Sequence, residues 1–187
     1  MTMPRIAPLA PPYDAPVADT LAAMMPPGVP PIALFRTLAH NPRILDKVRA
    51  GSLLDRGTIT RRDRELLILR TTARCGAEYE WGVHVAFFAA RVGLDDATVA
   101  ATVHALGDDD VWAPRDALLI RLADALHDHA AIPDALWTAL AAEWSAAQLI
   151  ELIVLAGSYH TIAFVVNGLR VPLEDGAPRF PRFEEGG

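Results

Sequence analysis

From Leu149 to Leu169 the chain is apolar almost throughout, long enough for one helix to cross a bilayer or to run through the middle of a helical protein. Glu151, Ser158, His160 and Asn167 interrupt it, and its flanks carry acidic and basic residues without a clear asymmetry. A buried central helix fits that pattern better than a membrane span. Its start is marked by Ser145-Ala-Ala-Gln148, a capping box in which the serine and glutamine side chains satisfy each other's free backbone N–H groups. The helix is therefore expected over about 146–167, ending near Gly168.

A second nearly continuous apolar run, Leu66-Leu67-Ile68-Leu69, follows Thr60-Arg61-Arg62-Asp63. Thr60 can cap a helix whose first turn carries Asp63 against the positive end of the dipole. That helix, about 61–75, should be buried on most sides, and Gly76 ends it. Further helices are expected at about 78–92 (stopped by Gly93), 96–106, 114–129 (with Pro114 in the first turn) and 133–143. Short ones are expected earlier, at about 17–24, 32–40 and 43–50, between Pro26-Pro27-Gly28, Asn41-Pro42 and Gly51. Period-2 alternation is almost absent, so the fold class is all-α.

Charge and cysteine content narrow the function. The net charge of -6 offers no dense cationic face for nucleic acid or an anionic membrane, so neither is expected as a partner. Cys75, the single cysteine, excludes an intrachain disulfide framework and a zinc site built on several thiolates, and suits a reducing cytoplasm. The other histidines, at 40, 104, 127, 129 and 160, are scattered, so no metal site is announced. His127-Asp128-His129 reads as a solvated C-terminal turn. Met1–Pro16 has no continuous apolar core and reads as an arm rather than a signal peptide.

The stretch that carries chemistry is Glu65 to His84. Glu80 and His84 are four apart and share a helix face, and Glu65 approaches them if the two helices form a tight antiparallel hairpin. A carboxylate beside an imidazole raises its pKa and fixes its tautomer, giving a proton donor or acceptor near neutral pH. Taken alone, a glutamate and histidine four apart are more often a solvated helix pair.

Arg62-Asp-Arg-Glu-Leu66, then Ala77-Glu-Tyr-Glu-Trp-Gly-Val-His84 and the alanine-rich stretch to Gly93, resemble the core of the carboxymuconolactone decarboxylase/AhpD-like superfamily. Arg115-Asp-Ala-Leu-Leu119, Gln148-Leu-Ile-Glu151, Gly157-Ser-Tyr-His160 and Asn167-Gly-Leu-Arg-Val-Pro-Leu173 extend the resemblance over roughly residues 30–175. The resemblance implies an AhpD-like helical bundle with a central helical hairpin and a long buried C-terminal helix. The organisation expected is an N-terminal arm (1–30), the helical domain (31–175) and a C-terminal tail (176–187).

The AhpD branch uses a glutamate, a CxxC pair and a histidine four residues after the second cysteine. Aligned on the histidine, Glu65 and His84 match, while the cysteine positions fall on Ala77 and Glu80. Both thiols are missing and both proton-handling residues remain. Dithiol chemistry needs an attacking thiolate and a resolving thiol, so the decarboxylase-like branch is the nearer analogy.

By that resemblance the chain is an enzyme, without metal or organic cofactor, that moves protons on a small cyclic acid or lactone. His84 is the expected proton donor, with Glu80 or Glu65 setting its charge. Tyr79, Trp81, Tyr159 and Arg70 are candidate substrate-binding residues, although Arg70 lies about 140° round the helix from Glu65. The alternatives are a hydroperoxide reductase using Cys75 with an external thiol, and a non-catalytic binding or assembly protein. The resemblance also implies a homo-oligomer.

Overall fold

The computed structural model describes residues 3–182, and among them there are helices and no strands. In chain order the α-helices are α1 (Ala15–Ala23), α2 (Ala33–Leu38), α3 (Pro42–Ala50), α4 (Arg61–Arg74), α5 (Glu78–His84), α6 (Asp96–His104), α7 (Pro114–His129), α8 (Asp134–Glu143) and α9 (Ala146–Leu169). The caps read from the sequence form. Thr60 Oγ1 accepts from Asp63 N at 3.0 Å, and Ser145 and Gln148 make both halves of the capping box; Asp95 adds a cap at the start of α6 by accepting from Thr98 N at 2.8 Å. Gly76 and Gly93 take the left-handed conformation at φ 61° and 72°, where a side chain would be strained. The long helix runs past Gly168 to Leu169, and Arg170, not a glycine, takes its left-handed cap at φ 53°.

Helix α4 is the axle. Leu66, Leu67, Ile68 and Leu69 are fully buried, so successive faces of the helix all meet protein. Each such side chain contributes about 1.5–3 kcal/mol by leaving water. The ion pairs that join α4 to α7 include Arg62–Asp116, Arg70–Asp124 and Arg74–Asp128. All three span 54 residues, and a constant offset means the two helices run in the same direction in register. Helix α9 is also parallel to α4. Thr58 N reaches Glu151 across 93 residues at one end, and Asn167 Nδ2 reaches the Cys75 carbonyl across 92 at the other.

Burial of α9 is one-sided. Leu149, Leu152, Leu155, Ala156, Tyr159, Ala163 and Val166 face the core, whereas Ile150, Val154 and Phe164 are exposed at 64%, 51% and 71%. By length and composition alone it could cross a membrane; its inward face instead packs on α4, α5, α7 and α8.

The expected helix over 78–92 divides into α5, a π-helical turn (Val85–Ala89) and a short 3-10 turn (Ala90–Val92). The wide turn begins directly after His84 and sets Phe88 5.1 Å from the His84 ring. Within residues 3–30 the arm is tied to the helical domain at several points: Leu21 of α1 is buried, Arg5 N donates to Leu169 O, and Leu9 N to Arg36 O. Residues 176–182 of the expected tail cross α5, where Pro178 O leaves no room for a Cβ on Gly82 and Phe180 stacks edge-on against Trp81. The rest of that tail, 183–187, lies outside the described residues.

Candidate active site

Gly76 lets the chain turn sharply between α4 and α5, and the resulting hairpin brings Glu65 against His84. Glu65 Oε2 sits 2.7 Å from His84 Nδ1, and both side chains are buried. The other oxygen of Glu65 accepts from Arg64 Nε at 2.9 Å and lies 2.8 Å from Arg64 Nη2. Arg64 is anchored in turn by donating to the Leu54 carbonyl at 2.8 Å. On the far side of the ring, Nε2 is 2.9 Å from the Tyr159 hydroxyl and 3.5 Å from Glu80 Oε1.

The electrostatics follow from these neighbours. Burial alone pulls the imidazole pKa down, but the hydrogen bonds and charges of Glu65 and Glu80 outweigh it and hold His84 at about 9. His84 is therefore an imidazolium at neutral pH, with Nδ1–H donated to Glu65 and Nε2–H directed to Tyr159. Burial, reinforced by the negative charges of Glu80 and Glu65, pushes the Tyr159 hydroxyl well above its ordinary range, so it keeps its proton. With its oxygen accepting from His84, that proton is free to be given elsewhere.

Beside these groups lies a cavity of about 400 Å³. Its walls are apolar, with Ile44 and Val48 from α3, Leu54 from the following loop and Ile162 from α9. Glu80 and Tyr159 supply polar groups to its lining, and Lys47 adds an exposed cation. Glu80 Oε2 is buried and has no hydrogen-bond partner, an uncompensated acceptor of the kind a ligand completes. His84 itself is not part of the lining; it stands behind Tyr159 and Glu80.

Of the sequence-derived candidates, Glu65, Glu80, His84 and Tyr159 converge, and three others are placed elsewhere. Arg70 is a correction: its guanidinium makes a two-pronged pair with Asp124 at 2.7 and 2.8 Å and donates to Thr102 O. It faces α6 and α7 because of its angle round α4 from Glu65. Trp81 is also turned away, its Nε1 donating to Thr102 Oγ1 at 3.0 Å. Tyr79 ties α5 to the N-terminus of α2, accepting from Leu34 N and donating to Glu174. Lys47 and the Leu54 loop were not found by sequence reasoning, since no spacing links them to Glu65–His84. Arg64 was visible as the neighbour of Glu65, but its role depends on the Leu54 carbonyl.

An all-helical bundle with a glutamate on one helix clasping a histidine on the next is the arrangement that the sequence resemblance implies for an AhpD-like fold. Residues 40–124 match the carboxymuconolactone decarboxylase family, which places this stretch, from just before α3 to within α7, in that family. Among solved structures, an uncharacterized peroxidase-related protein from Silicibacter sp. TM1040 superposes with a TM-score of 0.80 at 14% identity. That match covers 97% of this chain and 100% of the other. The AhpD core of a peroxidase-related protein from Ralstonia eutropha JMP134 gives 0.78 at 16%, covering 93% and 95%. A single-substitution variant of the debrominase Bmp8, in complex with 2,3,4-tribromopyrrole, gives 0.66 at 16%, covering 91% of each chain. No curated protein matches the sequence. At these identities the structures establish the shared fold.

Proposed function

We propose that this chain is a cofactor-independent enzyme that moves protons on a small cyclic acid or lactone, by decarboxylation or a related lyase or isomerase reaction. The observation behind it is the His84 imidazolium clamped between Glu65 and Tyr159, with Tyr159 and Glu80 in the lining of an apolar cavity. Lys47 is suited to the substrate's carboxylate or lactone oxygen.

In the decarboxylation, the C–C bond to the carboxylate breaks, carbon dioxide leaves and the electron pair passes into the conjugated ring as a dienolate. The apolar walls favour loss of the substrate's carboxylate charge into a delocalised system. Tyr159 then gives its O–H proton to carbon and is reprotonated by His84 Nε2–H, and solvent restores the proton on His84. In an isomerisation the unpartnered Oε2 of Glu80 is suited to take a proton first.

A thiol mechanism has less support. Burial raises the Cys75 thiol against the lowering effect of Arg74, which disfavours the thiolate, and its sulfur is not in the cavity lining. The single free thiol suits a cytoplasmic setting, and the exposed apolar stripe of α9 suits contact with a second copy.

The test is a screen of small cyclic acids and lactones for thermal stabilisation, followed by turnover of those that bind. Activity should survive Cys75→Ser, and fall by about 10²–10⁴-fold in Tyr159→Phe and His84→Ala variants that retain native circular dichroism. Peroxide turnover abolished by Cys75→Ser would overturn the proposal in favour of the reductase, and binding without turnover would favour a non-catalytic role.

A further inference from the structure

Cys75, His127 and His160 meet outside the cavity, although nothing in their sequence spacing announces it. Cys75 caps the C-terminal end of α4, His127 lies in the last turn of α7, and His160 lies in the C-terminal half of α9. The parallel alignment of α4, α7 and α9 brings them together. Cys75 Sγ is 3.7 Å from His127 Nδ1, which is 3.2 Å from His160 Nε2, and one donor atom from each residue falls within 4.8 Å of the others.

The orientation of His160 is fixed from behind. Its Nδ1 lies 2.9 Å from the Ala156 carbonyl oxygen, which places the proton there and leaves the Nε2 lone pair facing His127. Metal-bound histidines are held in this way, with the other ring nitrogen donating to a carbonyl or carboxylate. A tetrahedral zinc ion with bonds of about 2.0–2.1 Å to nitrogen and about 2.3 Å to sulfur has N–N edges of roughly 3.3 Å and N–S edges of roughly 3.6 Å. The two closest separations match those edges.

We propose that Cys75, His127 and His160 form a three-ligand site for a borderline divalent cation of the zinc class, its remaining position open to solvent. Burial, Arg74 and His160 lower the His127 pKa, so its ring is neutral at pH 7 and has a lone pair to give. The Cys75 thiol, raised by burial, gives up its proton as the metal–sulfur bond forms, so binding one ion releases one proton. The nearby cation Arg74 is paired with Asp124 and Asp128, which limits its repulsion of the metal. The ion would staple the ends of three core helices and stand apart from the His84 site.

Cobalt(II) titration of chelator-treated protein tests the site. The expected result is saturation at one equivalent, with the intense visible bands of tetrahedral cobalt, a near-ultraviolet thiolate-to-cobalt band, and displacement by zinc. Cys75→Ser should abolish the thiolate band, and His127→Gln and His160→Gln should each weaken binding by at least about 10-fold. His40→Gln, remote from the cluster, should change nothing. An absence of saturable binding, weak octahedral bands, or a spectrum unchanged in Cys75→Ser overturns the proposal and leaves a hydrogen-bonded cluster only. The wild-type cobalt spectrum decides the matter even where a variant fails to fold.

Discussion

At the scale of single residues, the Glu65–His84 contact makes stability depend on pH. The folded-state pKa of His84, about 9, lies above its ordinary 6.5. The imidazolium therefore stabilises the fold fully below pH 6.5, and that contribution is lost as pH rises through about 9. Urea unfolding at pH 6, 7.5 and 9 should show the free energy falling across this window in the wild type. In His84→Gln the fall should shrink, because other titrating groups contribute equally to both proteins; an identical profile would exclude the charged imidazole. Much of this cluster was legible in the sequence. Glu80 and His84 are four apart, a distance helix geometry alone converts to contact, and Glu65 needed only the turn at Gly76. The reach of Tyr159 across 75 residues depended on where α9 packs, and the cavity wall from Lys47 to Leu54 on how α3 settles, which no local spacing encodes.

At the scale of helices, the Arg70–Asp124 pair welds α4 to α7. Arg70 is 2% exposed, so removing its partner strands a buried charge. Asp124→Ala should destabilise the protein by about 3–5 kcal/mol, measured by urea unfolding. Arg70→Met combined with Asp124→Leu should recover most of that loss, since an apolar pair of similar volume needs no charge compensation. If the double variant is as unstable as the single one, the guanidinium contributes through more than this pair. Its buried hydrogen bond to Thr102 O on α6 is the contact that would then account for the difference. The helix boundaries themselves were legible wherever a cap existed. The π-helical turn after His84 was not, because Val85-Ala-Phe-Phe-Ala89 carries no glycine or proline to mark it.

At the scale of the whole molecule, Ile150, Val154 and Phe164 leave an apolar stripe along the outer face of α9. The expected homo-oligomer would cover it, and Phe164→Glu should then shift the mass measured by light scattering toward the monomer. An unchanged mass would place any assembly on another surface. The cavity also divides labour along the chain. In the proposed reaction the proton-handling groups, Glu80 and Tyr159 in the lining with His84 and Glu65 behind them, would come from α4, α5 and α9, whereas Ile44, Lys47, Val48 and Leu54 come from α3 and the loop after it. Mutation in that short stretch can reshape which molecules are accepted while leaving the reacting groups intact. A lineage built on this plan can diversify its diet without reinventing its chemistry, and relatives should differ most between residues 42 and 54.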